Sequence, residues 1–155
     1  MIHYFKRLFQ IVAALVLTAC AAAPQQIAPF DTSRTYDQSF DETWGKMVRF
    51  MSTNSVGIST IEKDSGLIVI NNQSVATSLM REYCDVPAVV PGLYSPTHGI
   101  VRGSLTAIEE DGFTTVNVNV NFTQNSQFCY QGCQYVSRPC ASLGNFEKAL
   151  LNAID

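Results

Sequence analysis

Thiols, two imidazoles and a short run of acids are the side chains of this chain that could carry chemistry. Cys20 stands alone near the N-terminus, and Cys84, Cys129, Cys133 and Cys140 fall in the second half. The histidines are His3 and His98. A Ser-His-acid triad would have to use His98 in "SPTHGIV", but no serine sits in a G-x-S-x-G elbow. Glu109-Glu110-Asp111 lies where a hairpin turn is expected, a place for solubilising charge rather than for two carboxylates facing each other across a cleft. No glycine-rich phosphate loop occurs, and Cys129-x3-Cys133-x6-Cys140 is not a standard zinc spacing. With no C-x-x-C pair, a redox role lacks its motif. The reading is a non-enzyme, with no catalytic residue, metal or cofactor expected.

The thiol with the most informative surroundings is Cys20. Lys6 and Arg7 precede an apolar run from Leu8 to Leu17, broken only by Gln10, and small residues follow. That is the layout of a secretory signal, and it is too short for a membrane-spanning helix of roughly 20 apolar residues. Leu17-Thr18-Ala19-Cys20 matches the bacterial lipobox. The match implies cleavage between Ala19 and Cys20, a diacylglycerol thioether on the Cys20 sulfur and acylation of the new amine. Two or more acyl chains hold a protein on a membrane at about 0.8 kcal/mol per buried methylene. Ala21, in place of an aspartate, points to the outer membrane, with the domain on the periplasmic side.

Cleavage removes 19 of the 155 residues, among them two basic residues and no acid, so the formal net charge moves from −3 to −5. An acidic chain without a basic cluster argues against nucleic acid as a partner class. Residues 20–33 contain prolines and polar residues without periodicity and read as a tether. Residues 34–155 are long enough for one domain with a real core.

Within that domain Thr35-Tyr36 reads as a short strand. Phe40, Trp44, Met47, Val48 and Met51 follow at helical spacing, with Ser39 or Asp41 as N-cap and Glu42 completing a capping box with Ser39. "VGISTIEKDSGLIVINN" reads as a hairpin turning at Asp64-Ser65-Gly66, its second arm running on through "QSVATS". "IVRGSLTAIEE" and "FTTVNVNVNFT" are two further strands around Asp111-Gly112. In the second of them Val116, Val118, Val120 and Phe122 alternate with Thr115, Asn117, Asn119 and Asn121, giving one buried face and one wet face. "SLGNFEKALLNAID" reads as a closing helix starting near Ser142, with Leu143, Phe146, Leu150, Leu151 and Ile154 inward and Glu147 and Lys148 outward. The expected fold is α+β: a single antiparallel sheet of about four to five strands with two helices on one face, in the order β-α-β-β-β-β-α.

Leu79–Gly99 and Gln124–Cys140 then read as two long loops at the same end of the sheet, and they hold all four remaining cysteines. Export favours two disulfides. Adjacency of the loops favours Cys84 with Cys140 and Cys129 with Cys133, over Cys84 with Cys129 and Cys133 with Cys140. Val89, Val90, Leu93 and Tyr94 from one loop, with Tyr130 and Tyr135 from the other, form a candidate partner surface, since rigid aromatics supply contact area at low entropic expense.

"YDQSFDETWGKMVRFMSTNSVGISTIEKDSGLIVINN" resembles the opening of BamC-like helix-grip envelope lipoproteins, in which an F-D-x-x-W helix precedes I-x-x-x-x-K-x-S-G-x-I. The matching residues are Phe40, Asp41, Trp44, Ile58, Lys63, Ser65, Gly66 and Ile68. The resemblance implies a helix-grip domain in the cell envelope. The expected role is a lipid-anchored structural or protein-interaction module, held to the membrane through Cys20 and contacting another envelope protein. The alternative is a small hydrophobic ligand domain, with a pocket between the sheet and the C-terminal helix lined by Trp44, Met47 and Phe146.

Overall fold

The computed structural model of the chain describes residues 29–155. The signal peptide read at 1–19, the cleavage pair Ala19 and Cys20, and the tether up to residue 28 lie outside them. Strand β1 (Ser33–Tyr36) opens the fold. Its approach is already part of the domain: the Phe30 ring lies against Gly144, and the Thr32 carbonyl accepts from the Val118 N–H at 2.8 Å.

Helix α1 (Phe40–Thr53) forms where the apolar stripe requires it. The Ser39 side chain accepts from the Glu42 N–H, a cap worth about 1 kcal/mol. Glu109 adds a second acceptor, to the Phe40 N–H at 3.2 Å, placing a carboxylate at the positive end of the helix dipole. Met47 and Met51 are fully buried, and Trp44 nearly so. After α1 come β2 (Thr60–Glu62) and β3 (Leu67–Ala76), paired antiparallel with Ile61 opposite Ile68.

Strands β4 (Tyr94–Glu110) and β5 (Phe113–Cys129) are 17 residues each and form the spine of the sheet. Asp111 and Gly112, both at positive φ, make the tight turn between them, the geometry that two-residue hairpin loops favour. Strand β6 (Cys133–Cys140) returns along β5. The sheet order is β1-β5-β4-β3-β2, with β6 sharing the outer edge of β5: β1 runs beside Thr114–Asn117 and β6 beside Phe122–Cys129.

The α+β class and the single antiparallel sheet agree with the sequence reading, but six strands and three helices among the described residues replace four to five strands and two helices. The extra helix is α2 (Thr77–Tyr83), where β3 was expected to continue. Its Met80 is fully buried directly over Gly99, which no longer side chain would permit. The extra strand is β6. Gln124–Cys140, read as a loop, is a hairpin, because β5 continues past Thr123 and β6 pairs with all of that continuation. Leu79–Gly99 likewise shrinks to residues 84–93, bounded by α2 and the early start of β4.

Helix α3 (Asn145–Ile154) closes the core with Phe146, Leu150, Leu151 and Ile154. Two expectations about it are corrected. Leu143 lies before the helix and is half exposed, and Glu147, read as outward, is only 2% exposed. The Ser142 hydroxyl donates to the Glu147 carboxylate at 2.8 Å and accepts from the Gly144 N–H, so the acid closes the helix start instead of facing water. At the other end Lys46 donates to the Ile154 carbonyl and Arg34 pairs with Asp155, two cations on the negative end of the dipole. The Tyr36 hydroxyl donates to the Leu151 carbonyl at 2.6 Å, and burial pushes its pKa up to about 12. The buried residues of β5 are even-numbered, and the odd row Thr115, Asn117, Asn119 and Asn121 is half-buried to exposed.

Candidate functional site

The expected partner residues gather at one end of the sheet, on an arm built from the start of β4, the end of β5 and β6. Tyr94 pairs with Phe128, Ser95 with Gln127, and Phe128 and Gln127 pair in turn with Gln134 and Tyr135. Residues 130–132 cross the tip, with Gln131 and Gly132 at positive φ and the Tyr130 N–H donating to the Gly132 carbonyl. A disulfide joins Cys129 to Cys133 across the last pair of the hairpin.

A second disulfide joins Cys84, at the end of α2, to Cys140, at the end of β6. The segment 84–93 is stitched at both ends. The Asp85 N–H donates to the Ala141 carbonyl at 3.0 Å, and the Cys129 N–H donates to the Leu93 carbonyl at 2.8 Å. Val90 and Tyr94 exchange backbone hydrogen bonds around Pro91-Gly92, a tight reversal that brings the valines beside the end of the arm.

Exposure sorts the candidate residues. Tyr130 is 70% and Tyr135 80% exposed, and Val89, Val90 and Phe128 are exposed as well. Leu93 and Tyr94 are half-buried, and the Tyr94 hydroxyl accepts from Ser126 at 2.7 Å, so Tyr94 is a structural member of the arm. The surface is also divided. Directly paired residues share a face, so Tyr94, Phe128 and Gln134 are on one side of the arm, while Ser95, Gln127 and Tyr135 are on the other. Tyr130 occupies the tip.

Two residues that the sequence reading did not single out hold the arm on its helix-facing side. Gln124 and Ser126 occupy buried positions of β5 where alternation would place apolar side chains. The Gln124 amide donates to the His98 carbonyl at 3.0 Å. Their only sequence signal is parity with Val116, Val118 and Phe122.

The pocket expected around Trp44, Met47 and Phe146 is replaced by packed core at the first two residues, both buried in it. Phe146 instead borders a half-open hollow further along, between the end of α1, β3 and α2. His98 is exposed on β4, its ring nitrogens facing Asn125 at 3.0 Å and Thr97 at 3.3 Å. Among the described residues no helix is long and apolar enough to cross a membrane, and no cluster of three or more His, Cys, Asp or Glu could hold a metal ion. Compared with known proteins, the chain matches no protein-family model and no curated sequence.

Proposed function

We propose that this chain is a lipid-anchored outer-membrane lipoprotein that faces the periplasm and acts by contact with another envelope protein, the arm being its contact element. The observation that carries the reading is the pair Tyr130 and Tyr135, 70% and 80% exposed on a hairpin closed by its own disulfide. Large aromatic side chains that fold into nothing of their own domain, on a backbone that cannot splay, resemble the anchor residues that dominate protein interfaces. Their rigidity lowers the entropy lost on binding. The acyl chains expected on Cys20 would hold the domain at the membrane, and the arm would select what it meets there.

The test places a photocrosslinking residue at Gln131 in the full-length lipoprotein and isolates adducts from native membranes. A defined adduct is expected in the wild-type background and its loss in Tyr130→Ala/Tyr135→Ala. Recovery of the same adduct by the double variant at the same yield would refute the arm as the contact element. An unmodified Cys20 thiol on material from the native host would refute the anchor.

A further inference from the structure

We infer that the hollow between the end of α1, β3 and α2 is a binding site for a small uncharged ring compound with one polar end. The site is separate from the arm. Phe122 and Val101 form its floor from the sheet, and Phe146 closes it from α3. Four rings surround it: Phe146 stands edge-on to Phe50, Tyr83 and Phe122 at 6.0, 5.8 and 6.4 Å between centroids. Edge-to-face contacts of this kind are what a further ring could extend. The volume is about 360 Å³, near the bottom of the range for small-molecule sites. That suits one or two rings and not the paired tails of a phospholipid.

The backbone is bent to make this wall. Between Ile70 and Gln73 strand β3 carries a bulge, with Asn72 at φ 49°. Without the extra residue, Asn72 and Ser74 would take the helix-facing positions that Gln73 and Val75 now hold opposite Val101 and Gly99. The bulge therefore exchanges a polar wall for one with Val75 in it. At the mouth, Ser55 follows α1 at φ 53°, the left-handed position that helix ends usually give to glycine. Non-glycine backbone held in that region at Ser55, which lines the hollow, is a feature that binding sites collect.

The chemistry of the lining selects the ligand. Polar side chains come from Asn54, Ser55, Gln73, Ser74 and Tyr83, and among the described residues no Asp, Glu, Lys or Arg lines the hollow. An ionic ligand would lose its hydration there with no opposite charge to replace it. Tyr83, like any tyrosine neutral at physiological pH, is pushed further from ionisation by burial and by the Glu82 charge.

The probe is 4-[3-(trifluoromethyl)diazirin-3-yl]benzyl alcohol, a neutral single-ring photoreagent, applied to the full lipoprotein in membranes, with labelled peptides mapped by mass spectrometry. Saturable labelling of the Gln73–Tyr83 and Phe146 peptides, displaced by excess benzyl alcohol, is expected. Val75→Trp, which fills the hollow, should lower it about tenfold. Leu79→Trp at the exposed rim is the second filling variant should the first fail to fold, as judged by circular dichroism. Tyr130→Ala/Tyr135→Ala should label like wild type, which keeps this test independent of the arm. Undiminished labelling in a folded filling variant, or displacement by hexadecanol but not by benzyl alcohol, would overturn the assignment.

Discussion

Breaking the Cys84–Cys140 bond releases the longest covalent loop in the domain, and the size of the effect follows from the chain between the two residues. They are 56 positions apart, for which loop-closure entropy gives about 4 kcal/mol of stabilisation at 25 °C. Cys129 and Cys133 are 4 apart, and the same relation gives about 2 kcal/mol. Cys84→Ala/Cys140→Ala should therefore lose about twice as much stability as Cys129→Ala/Cys133→Ala. Packing widens the gap, because Cys84 is buried in the core and Cys140 packs against it, whereas Cys133 is exposed. Trp44 is the single tryptophan and is buried, so its fluorescence reports global unfolding in guanidinium chloride. The long-loop variant should also become sensitive to trypsin at Arg81, because α2 loses its tie to β6. Equal losses in the two variants, or a loss below about 1 kcal/mol for the first, would refute the claim that this bridge holds segment 84–93 in place.

Two further outcomes test the core. Tyr36 has a folded pKa of about 12 against an ordinary value of 10, so the unfolded chain releases that proton first as pH rises. Its contribution to stability is complete below pH 10 and should be lost as pH climbs from 10 to 12; Tyr36→Phe should remove that part of the slope in unfolding experiments across the range. Gly103→Ala should destabilise by about 1–3 kcal/mol in the same denaturant assay, because its methyl group would overlap the Asn119 carbonyl of the neighbouring strand, which cannot rotate away. A neutral result there would mean that β4 and β5 can separate locally.

Residues that alternate or recur at helical spacing announced their elements directly. The stripe from Phe40 to Met51, the Val-Asn alternation of β5, the turn at Asp111-Gly112 and the face of α3 were legible, because each buries one side and wets the other over a local stretch. The sequence alone thus determined the α+β class, the single antiparallel sheet and the set of cysteines available for bridges. Tertiary structure decided the arm, helix α2 and the hollow. Gln124 and Ser126 are polar residues in core-facing positions, so β5 stops alternating in hydrophobicity several residues before it stops being a strand. The loop read at Gln124–Cys140 contains β6, whose Pro139 and Arg138 an edge strand with one free side tolerates. Glu147 is buried because Ser142 answers it across the start of the helix, which residue type cannot foretell. The physical reason is that periodicity records what a residue does for its own element, whereas strand pairing and hydrogen bonds such as that from the Gln124 amide to the His98 carbonyl exist only once the chain has folded.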